Sequence, residues 1–269
     1  IILGFQDVEV MNFLRGQKHF IGFDNYVQLF HDEVFFKSVA NTFVFTVSCL
    51  VFQFLIGFAL AMFFNRKFSF AKPVRGILMM PWMIPMTVTA LMFKFMFSTK
   101  VGVINNILTG LGIISKNIEW LTNQGIAMIP VIITNIWIGI PFNMILISTG
   151  LTSIPGELYE SAAIDGANRW QMLTHITLPR IMPCIMIMLI LQLASLFVSN
   201  FDQVYNLYNN YVLSTGDVLS TYIYRISLGG SGTDFELSTA MNFLLNTMGL
   251  IVVLIANKFV NKLDVQGII

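Results

Sequence analysis

The sequence predicts an all-α fold, a polytopic set of membrane-spanning helices, and three observations carry that prediction. Hydrophobic residues fill 56% of the 269 positions and charged residues only 11%, with a mean hydropathy of +0.75, far from the balance of a water-soluble domain. Five apolar runs, at about 39–64, 76–97, 125–149, 181–199 and 238–257, each approach the ~20 residues that a helix needs to cross a hydrocarbon core of roughly 30 Å. Between the runs, Lys and Arg are concentrated on alternate loops.

The third observation sets the orientation. Arg66, Lys67, Lys72 and Arg75 follow the first run, Arg169 and Arg180 lie after the third, and Lys258 and Lys262 follow the fifth. These eight cations face Lys100, Lys116 and Arg225 on the alternate loops. Cytoplasmic loops carry the excess of Lys and Arg, so the loop at 150–180 and the tail at 264–269 are expected inside. Five spans ending inside put residue 1 outside. The apolar stub Ile1-Ile2-Leu3-Gly4-Phe5, without an initiator Met, then implies a sixth span upstream. Residues 1–38 are the expected remnant of that span plus an outer segment, and 39–263 form one transmembrane domain.

In chain order, Gly22-Phe23-Asp24-Asn25-Tyr26 and Leu29-Phe30 precede the first run. Pro81-Trp82-Met83-Ile84-Pro85 lies in the second, and Pro130, Pro141 and Pro183 fall in later runs. Each proline removes a backbone hydrogen bond and can kink its helix. A short amphipathic helix is expected over 102–114 on the outer face, with Val103, Ile104, Ile107, Leu108 and Leu111 on one side. Phe201-Asp202-Gln203 and Thr221-Tyr222-Ile223-Tyr224-Arg225 stand on the outer side before the fifth run, which closes on Ile255-Ala256-Asn257-Lys258.

The most sharply punctuated stretch is 155–179. Pro155 suits a helix start, and Glu157 and Glu160 lie near its positive end. Leu158, Tyr159, Ala162 and Ala163 share a stripe. Asp165-Gly166 closes this helix because glycine accepts a left-handed cap. Asn168 can cap a second short helix through Arg169, Trp170, Met172 and Leu173, and Pro179 opens the next run. Two small helices set at an angle are expected.

These residues resemble the signature loop of the permease subunits of binding-protein-dependent ABC importers: Glu-Ala-Ala, three residues, Gly, nine residues, Ile-x-Leu-Pro. Here they are Glu160-Ser161-Ala162, Gly166 and Ile176-Thr177-Leu178-Pro179, with Ser161 in place of the first Ala. The resemblance implies a type I ABC importer permease fold, with five of six transmembrane helices visible, in a bacterial cytoplasmic membrane. It makes the loop a coupling element that docks on an ATPase through Glu160, Ser161, Ala162, Ala163, Asp165, Gly166, Ile176, Leu178 and Pro179. Its implied partners are an ATP-binding subunit dimer, a second permease subunit that is a paralogue, and an extracellular solute-binding protein. Gly22–Tyr26 with Leu29-Phe30 resembles the segment that precedes the second span in this family, and the FDQ and TYIYR segments with the close of the last run resemble the branch that imports oligosaccharides and polysaccharides.

Residue chemistry narrows the function further. The chain has no GxxxxGK[ST] phosphate loop, so no cofactor is expected on it, and ATP and Mg fall to the partner ATPase. Lys94 is the one ionisable residue inside the runs, near enough to an end to snorkel, which disfavours an ion-driven carrier. Scattered charges summing to +1 disfavour a nucleic-acid partner. His19, His31 and His175 lack ligand spacing, and Cys49 and Cys184 read as packing residues, so neither metal nor disulfide is expected. A membrane-embedded enzyme would need paired carboxylates or a Ser/His pair, which the runs do not carry.

Uncharged polar and aromatic residues remain for a cargo path: Trp82, Asn135, Trp137, Asn143, Gln192, Asn200, Asn242 and Asn246. Taken singly, each is more readily an interhelical hydrogen bond or an interfacial anchor. As a set they suit a neutral sugar better than glycerol phosphate, a second polar cargo of the same family.

Overall fold

A chain in hydrocarbon has no water to satisfy its peptide groups, so each crossing must close its own hydrogen bonds. The computed structural model is accordingly helical almost throughout. It describes residues 2–7, 19–66, 69–123, 125–198, 200–208, 216–228 and 234–265, with side chains to 258. Its helices are α1 (Asp24–Leu29), α2 (Glu33–Phe64), α3 (Ala71–Met83), α4 (Met86–Met96), α5 (Val103–Gly110), α6 (Met128–Thr152), α7 (Gly156–Ile164), α8 (Arg169–Met172), α9 (Leu178–Val198), α10 (Phe201–Tyr208), α11 (Leu219–Leu228) and α12 (Phe235–Val265). Two-residue strands, Gln6–Asp7 and His19–Phe20, pair antiparallel with Gln6 opposite Phe20. They are the one departure from all-α structure among the described residues.

Four helical stretches are long and apolar enough to cross a membrane: α2, α6, the run Arg169–Val198, and 235–258 of α12. The pair α3 and α4 makes a fifth if taken as one bent span. The five expected spans are therefore present, with changed bounds. The second is broken where the sequence predicts a kinked helix: Ile84 is extended, at φ −79° and ψ 130°, because Pro85 disfavours helical geometry in the residue before it. Pro130 lies in the first turn of α6, where a missing N–H costs little, whereas Pro141 and Pro183 sit inside α6 and α9.

The 32 residues of α2 reach about 48 Å at 1.5 Å per residue, longer than the roughly 30 Å hydrocarbon core. Val44, Val47, Val51 and Leu55 along it are about half exposed, as befits side chains that meet lipid tails. The expected amphipathic helix forms as α5. Val103, Ile107 and Leu111 point outward, and Asn105 is the buried residue. Asn105 Oδ1 accepts from Ile118 N at 3.2 Å and Trp120 Nε1 at 2.9 Å, and its Nδ2 donates to Ile118 O at 2.9 Å. These bonds fix the side that turns inward.

The residues group into two compact units, each discontinuous in sequence. One comprises Ile1–Val47, Met86–Thr134 and Ala194–Ile251. Leu29, Phe35, Phe197, Leu219, Ala240 and Met241 form its core. Gln203 Nε2 donates to Val131 O at 2.8 Å, Asn41 Nδ2 to Asp217 O at 2.9 Å, and Leu219 N to Thr42 Oγ1 at 2.9 Å. Gly22 has φ +65°, and Asn25 Nδ2 reaches Gly4 O at 3.1 Å. Gln203 of the FDQ segment and Asn25 of the Gly22–Tyr26 segment thus help hold this unit together.

The other unit comprises Ser48–Pro85, Asn135–Leu193 and Val252–Ile269. Its core meets along three stripes: Ala61 and Phe64 on α2, Met144, Ile147 and Leu151 on α6, and Ile181, Ile185 and Met188 on α9. Helices surrounded by lipid gain little by hiding apolar area from tails that are equally apolar, so close packing and hydrogen bonds matter more to this association.

Candidate functional site

The loop predicted to dock an ATPase lies in the second unit. Pro155 is the N-cap of α7, one position earlier than a first-turn proline, with extended ψ of 135° and no side-chain cap. At the other end, Ala167 N donates to Ala162 O at 2.9 Å and Gly166 N to Ala163 O at 3.1 Å. That double closure is the Schellman cap, and it demands a left-handed residue. Gly166 supplies it at φ +80°. Asn168 then caps α8 as expected: its side chain accepts from Gln171 N at 2.9 Å while Gln171 Oε1 accepts from Asn168 N at 2.8 Å.

The second small helix does not stand apart. Residues 173–177 form a π-helical turn that joins α8 to α9, and Arg169–Val198 runs as one 30-residue helix. Pro179 lies in the first turn of α9 and opens the apolar run within that continuous helix. Tyr159 Oη and Thr177 Oγ1, 3.0 Å apart, tie α7 to the π turn.

The two faces of α7 differ. Leu158, Tyr159 and Ala162 are half-buried, while Glu160, Ser161, Ala163, Asp165 and Gly166 are exposed. Ala162 and Asp165 line a cleft of about 350 Å³ with Ala167, Gln171, Met172 and Ile176. The largest exposed apolar side chains here are Ile164, at 87%, and Trp170, at 71%. Neither was among the predicted docking residues, because a terminal Ile and an isolated Trp do not break the apolar pattern. Ile176, Leu178 and Pro179 are half-buried, and Ile176 lines that cleft.

Of the predicted cargo-path residues, the structure brings Asn135 and Gln192 together through Gln53. Gln53 Nε2 donates to Asn135 O at 2.9 Å and Oδ1 at 2.7 Å, and Gln192 Nε2 donates to Gln53 Oε1 at 2.9 Å. All three are buried. Asn143, fully buried, donates to Gly139 O at 2.8 Å, and its Oδ1, like Gln192 Oε1, is buried without a partner. A Cβ at Gly57 would lie 2.4 Å from Asn143 Cβ. Gln53 and Gly57, four apart on α2, thus face Asn135, Gly139 and Asn143, four apart on α6. That matched spacing was the available signal for Gln53.

The remaining candidates lie elsewhere. Trp82 is 54% exposed, its ring 6.2 Å from that of Phe142, and Trp137 is half-buried. Asn200 is buried in the first unit, donating to Leu196 O at 3.0 Å and accepting from Ser220 Oγ at 2.7 Å. Asn242 and Asn246 are exposed and bond to each other.

Residues 53–264 match the family of the binding-protein-dependent transport system inner membrane component. The chain belongs to this family. The permease is 30% identical over 236 residues to the probable ABC transporter permease protein YurN of Bacillus subtilis strain 168, across 87% of this chain and 80% of that one. It superimposes with a TM-score of 0.82, at 32% identity, on a chain of a bacterial ABC transporter involved in import of the acidic polysaccharide alginate, covering 95% of this chain and 90% of that. Against the bacterial alginate ABC transporter in complex with alginate pentasaccharide-bound periplasmic protein, the TM-score is 0.81 at 35% identity, with 90% and 84% covered. The permease thus has the all-α fold of an ABC importer membrane subunit and is a multi-pass component of the inner membrane. Its family is one of transport components.

Proposed function

We propose that this permease forms part of the path by which a sugar, an oligosaccharide or polysaccharide, passes from an extracellular binding protein into the cytoplasm by alternating access. A paralogous permease completes the path, and an ATPase dimer that binds ATP and Mg docks on α7 and α8. The observation that carries the reading is the likeness, over nearly all of both chains, to a permease of an alginate importer. What supports the energy source is the exposed rim of α7 and α8: Glu160, Ser161, Ala163 and Ile164 beside Trp170. Small residues there allow close approach, and Ile164 and Trp170 offer apolar anchors of the kind that dominate interfaces.

The buried amides Gln53, Asn135, Asn143 and Gln192 are neutral and suit hydroxyl-rich cargo. Because the structural neighbour imports an acidic polysaccharide, neutrality here does not restrict the cargo to uncharged sugars. The test is uptake by the complete transporter in proteoliposomes, with labelled oligosaccharide, ATP inside and binding protein outside. Uptake that needs both ATP and binding protein is expected. Transport of glycerol phosphate with no uptake of any oligosaccharide would overturn the sugar assignment.

A further inference from the structure

We propose that the cleft lined by the end of α2 and the start of α3 holds the phosphodiester of an anionic phospholipid. A cleft of about 540 Å³ is lined there by Arg66, Lys72 and Arg75 with Asn65 and Ser69, and no carboxylate is among its lining residues. Arg75 Nη2 donates to Phe64 O at 3.2 Å, which pins the guanidinium over the last turn of α2, while its Nε is buried without a partner. The start of α3 adds to the positive field. Its N-cap is Phe70, which makes no side-chain cap, and its first turn has no acidic residue but does contain Lys72. Unsatisfied N–H groups and the helix dipole favour an anion at such an end, and Lys72 beside it is disfavoured until one arrives. Three cations and a helix N-terminus therefore converge, with no carboxylate among the described lining residues.

The cleft's level favours a lipid over a free anion. Phe64 ends one apolar helix and Ala71 begins the next, so the cations sit at a span end, where bilayer phosphates lie. From the start of α3, Phe70, Val74 and Ile77, at i, i+4 and i+7, run outward-facing along it, 72%, 38% and 60% exposed. They form an apolar lane for the acyl chains. A neighbouring cleft of about 720 Å³ is lined by Met62 and Arg66 together with Tyr159, Arg169 and Trp170, so the cationic cleft shares a membrane face with the α7–α8 loop. Basic pockets on the cytoplasmic side are suited to anionic headgroups.

Native mass spectrometry of the full chain in detergent tests the site, with phosphatidylglycerol and phosphatidylcholine as probes. Arg66 and Lys72 are exposed, so Arg66→Gln with Lys72→Gln is expected to leave the fold intact. The wild type is expected to retain phosphatidylglycerol over phosphatidylcholine by about tenfold, and the double variant to lose that preference. The charge-preserving pair Arg66→Lys and Lys72→Arg is expected to keep it, and millimolar inorganic phosphate is expected to leave the lipid bound. Equal retention of the two lipids by the wild type, an undiminished preference in the double variant, or displacement of the lipid by inorganic phosphate would overturn the proposal.

Discussion

Gly139 on α6 lies so close to Gln53 on α2 that a methyl group at position 139 would meet the Gln53 amide at 2.2 Å. That amide cannot swing away freely, since Asn135 holds one side of it and Gln192 the other. Gly139→Ala is expected to destabilise the permease by about 1–3 kcal/mol, the usual cost of overpacking. Gln53→Ala alone loses interhelical bonds worth roughly 0.6–2 kcal/mol each. Because the two residues touch, the double variant is expected to be less destabilised than the sum. Thermal unfolding in detergent measures all three, and strict additivity would contradict the contact.

At Gly166 the left-handed backbone of the Schellman cap sets the expectation. A β-branched side chain there costs about 1–2 kcal/mol, so Gly166→Val is expected to loosen the end of α7 and reduce ATP-driven uptake without reducing membrane insertion. Gly166→Asn, which tolerates that conformation better, is expected to be milder. Equal uptake by the wild type and Gly166→Val would argue that the cap does not contribute to coupling.

The outward and inward faces of α7 separate docking from folding. Ile164→Asp changes a side chain that touches little of its own chain and is expected to release the ATPase without shifting the melting temperature. Ala162→Trp enters the cleft against Ala167, Gln171 and Met172 and is expected to lower both. Co-purification and thermal unfolding report on the two properties. An Ile164→Asp permease that retains its ATPase would sink the assignment of this rim.

Asp217 gives the segment before α11 a pH dependence. Burial pushes its carboxyl up to about 6, against the opposing pull of Arg225, 2.5 Å away, and of the Thr221 hydroxyl. The folded state therefore binds more protons than the unfolded state between the usual carboxylate value near 3.8 and about 6. In that window this group's contribution to stability falls as pH rises, and above it the contribution is level. Asp217→Asn is expected to flatten that slope relative to the wild type in melting temperatures taken from pH 4 to 7. A slope unchanged by the substitution would contradict it.

What the sequence made legible was what a single segment can encode. Span number followed from apolar length, the turn at Gly166 from glycine's conformational range, and the cap at Asn168 from its amide. Features that depend on two segments were hidden. Gln53 is one amide in an apolar run and becomes notable only when α6 places Asn135 and Gly139 opposite it. Pro85 announced a kink, yet its restriction of Ile84 was enough to end α3. The wide turn before Pro179 leaves no mark in composition.

That wide turn also fixes a phase. Each helical residue advances the chain by about 100°, and a π turn carries one residue more than the α geometry needs. Everything downstream on α9 is rotated by that single increment. Ile181, Ile185 and Met188 face the core, and Gln192 faces Gln53, only because the extra residue is taken up between 173 and 177. Removing one residue from this stretch would turn the whole stripe aside by over a quarter revolution while leaving every core side chain chemically intact. The π turn is thus an angular setting for the span, placed where α7 is tied on by Tyr159 and Thr177.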